Sequence, residues 1–510
     1  MKGLNFGKWV LITLCFLCTG ALVFAGGGQQ SSAGASDKPT IRIATRLHSQ
    51  EAAADWSKPF GQYVLERTGV NVIGEYWPDL AVTERQNLLL ASGNLPDLMY
   101  VTRDQSFLYG DEGMFAPLDD LVARNAPNFM RILTTGNSVL LRNPSDGKIY
   151  TMPTYDDYGG PLAGPNAPLT YRRDVILEMG EPEPVTMQGW YDLFKKVQAK
   201  YPDMVVLCDR DRNVFNFIHT IYDMGKIEGN FGIIGREFDK YEIKYLPITN
   251  EYRDLLTFYV RLYAEGLLDP EFLTIQYNDW WERKIGAGRA FACFTMNASR
   301  CDQANDLAHN AGFTNVEWRT MEPPQNVYTG ERMQMVPDYS WDATGFALSA
   351  KSTVKEAAIK YLDFFYGSEY PQIRQGTSTD PRFPQRGNLS EWDWNNLVGI
   401  DGFYYHPWVW PNADSSTPGL SPAVKEFHER NAKYKKIIPI VAKSGNLARY
   451  TSLVTEIETY MNTAQDEFIT GRRPLSQWDN YVAELKRLGV DEAVSFVQTW
   501  YDNYWKLVGK

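Results

Sequence analysis

Tryptophan and tyrosine stand beside carboxylates at several places along the chain. The clearest clusters are Tyr155-Asp156-Asp157-Tyr158, Asp279-Trp280-Trp281-Glu282, Ser340-Trp341-Asp342, Glu391-Trp392-Asp393-Trp394 and His406-Pro407-Trp408-Val409-Trp410. A sugar ring stacks its apolar face on an aromatic ring, and its hydroxyls suit carboxylates, planar amides and guanidinium groups. Such clusters in loops describe a carbohydrate cleft. Any single Trp is more often core packing, so Tyr155, Asp156, Trp280, Trp281, Trp341, Trp392, Trp394 and Trp408 stand as candidates to touch a ligand. Arg46, Arg172, Arg382 and Arg386 would suit a uronate carboxylate; pairing with surface acids is the default for each.

The same residue types would serve a secreted glycosidase, with Asp156/Asp157 or Asp279 and Glu282 as acid and nucleophile. Nothing in their spacing is diagnostic, and acidic pairs are most often solvated surface. The chain has no Gly-x-Ser-x-Gly, His-Glu-x-x-His, P-loop or Cys-x-x-Cys motif. Ile285-Gly286-Ala287-Gly288-Arg289-Ala290 reads as a helix end turning into a strand. Five scattered His build no metal site, and no cofactor is expected. Beyond Cys15 and Cys18 the cysteines are Cys208, Cys293 and Cys301, an odd number that leaves at least one thiol unpaired. Cys293 lies in an apolar run and reads as a buried strand residue.

The balance of 51 Lys+Arg against 62 Asp+Glu argues against nucleic acid, whose binders need a basic surface. At 510 residues with 44% hydrophobics and 22% charged residues, two to four domains with their own cores are expected. Residues 1–25 read as a signal peptide, with Lys2 and Lys8 ahead of the apolar run Trp9–Cys18 and Ala25 at the cleavage site. Leu17 before Cys18 and Leu14 before Cys15 fit a lipoprotein signal badly, so soluble export is expected over lipid anchoring. Its removal takes the net charge from −11 to −13 by loss of the two lysines. Residues 26–36, rich in Gly, Ser and Gln, form a flexible leader.

The elements that must position these clusters begin with an alternating run at 40–45. A helix at 51–68, a strand at 70–76, a helix at 82–92 and a strand at 96–101 follow. Strand–helix–strand order is that of a parallel α/β sheet, whose ligands sit at the carboxyl ends of the strands. Arg46 to His48, Trp77 and Thr102 to Asp104 are therefore expected to face a cleft, with Arg46, His48, Trp77 and Asp104 as candidates. Further on, the pattern predicts a strand at 168–172 and helices near 186–200, 251–265 and 278–287. A strand at 290–296, followed by the candidate Asn297, and an apolar run at 345–349 come next. From about 353 the chain is mostly helical, with Pro- and Trp-rich loops at 371–420. No repeat of 20–50 residues is visible, which sets aside solenoids, propellers and most adhesive surface proteins.

Several segments, in order, resemble the extracellular solute-binding proteins of ABC transporters, the family of maltose-binding protein, in its large oligosaccharide-type branch. They are Leu88–Asp97, Gly113–Leu121, Asp146–Pro153, Leu169–Asp174, Glu265–Glu271 and Lys284–Phe291. Near the end, Phe468–Leu475 and Leu485–Val490 look like the carboxyl terminus of that branch. The resemblance implies a type II two-lobed α/β fold with a ligand cleft between lobes joined by crossing hinge strands. It places crossings near 153–165, 290–296 and 345–350. The N-terminal lobe would then be 37–155 plus 292–345, and the C-terminal lobe 156–291 plus 346–510. It implies a monomeric periplasmic receptor that is not an enzyme, takes an oligosaccharide and delivers it to a membrane permease by hinge closure. A peptide or other non-sugar solute is the alternative on the same fold. Large members of the family carry an acidic, Gly-containing calcium loop where this chain reads Lys200-Tyr201-Pro202-Asp203-Met204-Val205-Val206-Leu207-Cys208. That segment lacks clustered oxygen ligands, so no metal is expected there.

Overall fold

The structure is a computed structural model. It describes residues 38–47, 55–78, 81–134, 138–156, 169–210, 221–222, 224–234, 242–294, 298–337, 341–387, 389, 394, 397–399, 409–410, 422–438 and 441–508. The signal peptide and leader, His48, Asn297, Trp392, Trp408 and all but the first residues, 153–156, of the crossing expected near 153–165 lie outside these residues.

In chain order the strands are β1 (Thr40–Leu47), β2 (Asn71–Pro78), β3 (Leu98–Thr102), β4 (Thr151–Asp156), β5 (Thr170–Arg172), β6 (Val205–Leu207), β7 (Met224–Glu228) and β8 (Phe231–Ile234). They continue with β9 (Lys244–Tyr245), β10 (Ala290–Cys293), β11 (Trp318–Thr320), β12 (Gln334–Pro337), β13 (Trp341–Leu348), β14 (Val409–Trp410) and β15 (Lys435–Ile438). A six-stranded sheet has the order β14-β4-β13-β3-β1-β2. Within it β1 runs parallel to β2 and β3, and β13 runs antiparallel to both β3 and β4. Both faces are covered, as alternation requires. Ile41, Ile43, Leu98, Tyr100, Phe346 and Leu348 enter one core, while Ala44, Met99, Val101 and Ala347 enter the other.

A second sheet has the order β11-β5-β10-β6. Tyr171, Val206 and Phe291 pack into a large core with the helices Met187–Lys200, Asn250–Ala264, Leu447–Ile469, Trp478–Arg487 and Val490–Leu507. The small sheet β7-β8-β9 joins that core through Met224, Phe231 and Tyr245. Two α/β layers with separate cores are the two lobes.

These cores divide the chain differently from the expected boundaries. The helix Lys355–Phe365 buries Ile359, Leu362 and Phe365 with Phe60, Val64 and Phe129, and Trp394 and Val398 join them. Residues 346–398 therefore belong with the first lobe. The helix Ala298–Asn310 buries Cys301, Ala304 and Ala308 against Trp280 and Trp318, in a core shared with β10. The chain does not cross at 290–296; it crosses between β11 in the second sheet and β13 in the first. Helical periodicity marked these segments as buried without saying against which sheet.

Four contacts fix the joint. Trp341 on β13 lies opposite Tyr155 on β4, with ring centroids 4.6 Å apart, and Phe129 packs its edge on Trp341 at 5.7 Å. A Cβ built on Gly345 would stand 2.8 Å from Pro153 Cα and 3.0 Å from the Met152 carbonyl oxygen, so the two strands touch through their backbones there. The Tyr366 hydroxyl donates to the Pro153 carbonyl at 2.6 Å.

The helix Pro127–Leu133 has no capping side chain of its own at Ala126. Asp363 supplies the acceptor instead, taking the Phe129 N–H at 2.8 Å and the Asn128 side-chain amide at 3.0 Å. Burial raises the Asp363 pKa, and these donors oppose the rise. Asp363→Ala is expected to cost about 2 kcal/mol by leaving buried donors unmade. In a chain of this size that reads as a fall of about 2 °C in the calorimetric midpoint.

Candidate functional site

The ends of the strands define where a ligand can sit. β1, β2, β3 and β4 all deliver their carboxyl ends to one edge of the first sheet, given their parallel and twice-antiparallel pairings. β4 leaves this edge at Asp156, and the chain enters the second sheet at the amino end of β5. β5 is antiparallel to β10 and β10 is parallel to β6, so the carboxyl ends of β6 and β10 lie at that same entry edge. Ligands of α/β sheets sit at such carboxyl edges, so the two edges are the candidate walls of the cleft.

On the second lobe the cleft edge carries an aromatic face. Tyr277 and Trp281 lie in parallel planes (4°) with centroids 6.4 Å apart, and Tyr277 is 38% exposed. Arg210, just past β6, lies over Tyr277 at 5.2 Å, and Arg300, in the first turn of the helix Ala298–Asn310, lies over Trp281 at 5.6 Å. The π-helical turn Asp279–Gly286 sets this face by driving Trp280 inward. Trp280 is buried, and its indole N–H points to the Cys208 carbonyl at 3.4 Å.

On the first lobe the edge carries charge. The helix Arg103–Asp111 starts directly after β3 with a capping box: Gln105 N–H donates to Thr102 Oγ1 at 3.1 Å and Thr102 N–H to Gln105 Oε1 at 2.9 Å. Asp104 pairs with Lys443 at 3.3 Å, and Lys443 reaches Glu228 of the second lobe at 2.8 Å. Lys443 follows Val441, which lies in the second lobe's core, and Ala442, which packs on the first lobe. This ion bridge spans the seam. Burial pushes the Glu228 carboxyl above its ordinary pKa, with Lys443 opposing. Burial works against the Lys443 charge, yet Asp104 and Glu228 together raise its pKa.

The remaining candidates have varied places. Arg46 is half-buried at the carboxyl end of β1, opposite Trp77 in the pairing with β2. Trp77 itself turns into the core, donating its indole N–H to Glu75 at 2.8 Å. Tyr155 and Trp341 come together at the joint, both buried, and β14 brings Trp410 into register with Asp156. Trp394 is fully buried, its N–H donated to the Ile373 carbonyl at 3.0 Å, so its acidic neighbours in the sequence were a misleading sign of a sugar contact. Arg172 is clamped by Asp174 at 2.5 Å. Arg103, Tyr277 and Lys443 were not singled out. Arg103 stands inside the strand-end segment 102–104, whereas Tyr277 lacks an acidic neighbour in the clusters and Lys443 meets its partners only through the fold.

Arg382 is bound by Asp380, with Nε and Nη2 donating at 2.9 and 2.7 Å, and reaches Glu66 at 2.6 Å. It lies over the Tyr63 ring, on the helix Pro59–Thr68. The Arg382 hydrogen bonds hold the Asp380 carboxyl at about 2, below its ordinary 3.8. The stability from this pair is therefore complete above the ordinary carboxylate pKa and is lost as pH falls towards about 2. Arg382→Ala is expected to flatten the acid limb of the stability profile in chemical denaturation while changing ligand affinity less than twofold.

Among the described residues no group of three His, Cys, Asp or Glu side chains is placed to hold a metal, and no helix is long and apolar enough to cross a membrane. Cys208, Cys293 and Cys301 are buried, and none of them is in a disulfide among the described residues.

No protein-family model matches the chain. The fructooligosaccharide ABC transporter substrate-binding protein FusA of Streptococcus pneumoniae is 22% identical over 514 residues, spanning 92% of this chain and 91% of FusA. Lipoprotein LipO of Bacillus subtilis is 24% identical over 363 residues, spanning 68% of this chain and 66% of LipO, just under two thirds of that relative. A solved HMO-binding, ABC-transporter-associated solute-binding protein from Bifidobacterium longum infantis superposes with a TM-score of 0.75 at 16% identity, covering 92% of this chain and 99% of that one. The alginate-binding protein AlgQ2, solved without calcium ion, gives 0.67 at 21% identity, with 91% and 98% covered. The solved structures share the two-lobed fold, and the sequence relatives carry the likeness along most of its length: the chain is similar to solute-binding proteins of ABC transporters.

Proposed function

We propose that the chain is an extracytoplasmic receptor that binds an oligosaccharide between its lobes and hands it to a membrane permease. The observation that carries this reading is the parallel Tyr277–Trp281 face at the carboxyl ends of β6 and β10, bordered by Arg210 and Arg300. A sugar stacks on the ring faces, and the guanidinium groups are donors for its oxygens. FusA and the Bifidobacterium protein, both named for oligosaccharides, support the ligand class. A soluble, monomeric, periplasmic protein is the form this function calls for, with residues 1–25 as the export signal.

The mechanism is a population shift. A ligand resting on the second lobe gains contacts with the first only when the cleft closes, so its differential affinity favours the closed form. Lys443 already joins the lobes through Asp104 and Glu228, and it keeps the two edges near each other before ligand arrives. Release of an intact ligand is what separates a receptor from a hydrolase with the same aromatic groups.

A thermal-shift screen against oligosaccharides, with peptides alongside, tests the reading. At a hundredfold excess over Kd a ligand adds about 2.7 kcal/mol. For a chain this long that is a rise of roughly 2–3 °C. The expected result is a shift with glycans, and intact glycan on mass spectrometry; cleaved glycan or a peptide-only shift overturns it. Trp281→Ala is expected to weaken glycan binding at least tenfold in calorimetric titration while leaving the unliganded midpoint within about 1 °C, because the ring is only half-buried.

A further inference from the structure

Arg103 is a buried cation, two of whose guanidinium nitrogens have no acceptor. Its side chain is 7% exposed, and both Nε and Nη1 are buried without an acceptor. It stands at the carboxyl end of β3, the cleft edge of the first lobe, as the first residue of the helix Arg103–Asp111. The capping box beside it is made by Thr102 and Gln105, so the Arg103 guanidinium has no part in closing the helix.

The neighbouring carboxylates are engaged elsewhere. Asp104 pairs with Lys443 at 3.3 Å, and Glu228 pairs with the same ammonium at 2.8 Å. Arg103 lies close enough to Glu228 for its charge to lower the proton affinity of that carboxyl, which sets it at the seam between the lobes. Glu228 gives Arg103 opposite charge within reach but no hydrogen bond, so what the buried guanidinium lacks is acceptors for Nε and Nη1. A sugar hydroxyl offers a single acceptor atom. A carboxylate offers two coplanar oxygens, which match the planar donors of arginine.

Building on the receptor reading, we propose that Arg103 is a specificity-determining contact for a carboxylate on the ligand, and that the oligosaccharide taken up is acidic, composed at least in part of uronic acid units. The aromatic face of Tyr277 and Trp281 holds sugar rings whatever their charge, and Arg103 on the opposite lobe tells an acid from its neutral counterpart as the cleft closes.

Calorimetric titration tests this with galacturonate, mannuronate and glucuronate trisaccharides, each beside its uncharged methyl ester, and with neutral trisaccharides. The protein is used as the wild type, Arg103→Gln and Arg103→Lys, each checked by its thermal midpoint. The wild type is expected to bind one acid at least tenfold tighter than its ester. Arg103→Gln removes that preference by weakening the acid while ester affinity stays within twofold, and Arg103→Lys retains part of it. Equal or tighter binding of esters or neutral glycans overturns the proposal and leaves the receptor reading intact. An acid preference that survives within twofold in Arg103→Gln overturns the role of Arg103. Binding of no glycan at all removes the receptor reading together with this one. Should Arg103→Gln fail to fold, the wild-type acid-to-ester ratio decides the ligand's charge, and a full acid preference in Arg103→Lys overturns the planar contact.

Discussion

Strand β13 lies between β3 and β4 and is antiparallel to both, and the rest of the molecule follows from that placement. Without it the first sheet would break into the parallel set β2-β1-β3 and the pair β4-β14. β13 arrives only after the chain has built β5, β6, β10 and β11 in another sheet, so the first lobe is completed by a strand that has already passed through the second. Two cores and one return connection are the minimum that produces a cleft with both walls made of strand ends. The backbone hydrogen bonds of a central strand are satisfied on both sides, which makes this connection costly to undo.

The two walls have different chemistry because different things position them. The second-lobe wall is an aromatic surface, held by a π-helical turn that buries Trp280 and thereby turns its neighbour outward. The first-lobe wall is charged, since a helix begins at the end of β3 with Arg103 and Asp104 as its first two residues. Lys443 ties one wall to the other from a segment that belongs to both cores. A ligand in the cleft thus meets apolar faces on one side and fixed charge on the other. That asymmetry suits a polar molecule with flat apolar patches.

Much of the first lobe was legible because period and punctuation agree there. The helix Val82–Ser92 and the strands beside it follow from apolar spacing ended by Gly93 in a left-handed conformation. Lobe membership beyond residue 290 was not legible, because an amphipathic helix such as Lys355–Phe365 carries the same apolar stripe whichever core it covers. The site was legible by rule rather than by residue. Strand ends were the expected places, and Trp77 at one of them turns inward, as does Trp394, since a large ring gains more from burial than an exposed position returns. Acidic neighbours in sequence did not separate exposed rings from buried ones: Trp281 has Glu282 beside it, but so close a neighbour says nothing about which way the ring points. Tyr277 and Arg103 take their meaning from partners distant in sequence.

Gly345 bears on how the first sheet holds the strands through which the chain enters and leaves it. With no side chain as a spacer, β13 and β4 meet main chain to main chain at Pro153. Sliding one crossing strand along the other would drive backbone atoms into each other, whereas bending at the strand ends leaves that contact intact. The close approach that a missing methyl group permits therefore holds β4 and β13 together as one rigid piece of the first sheet.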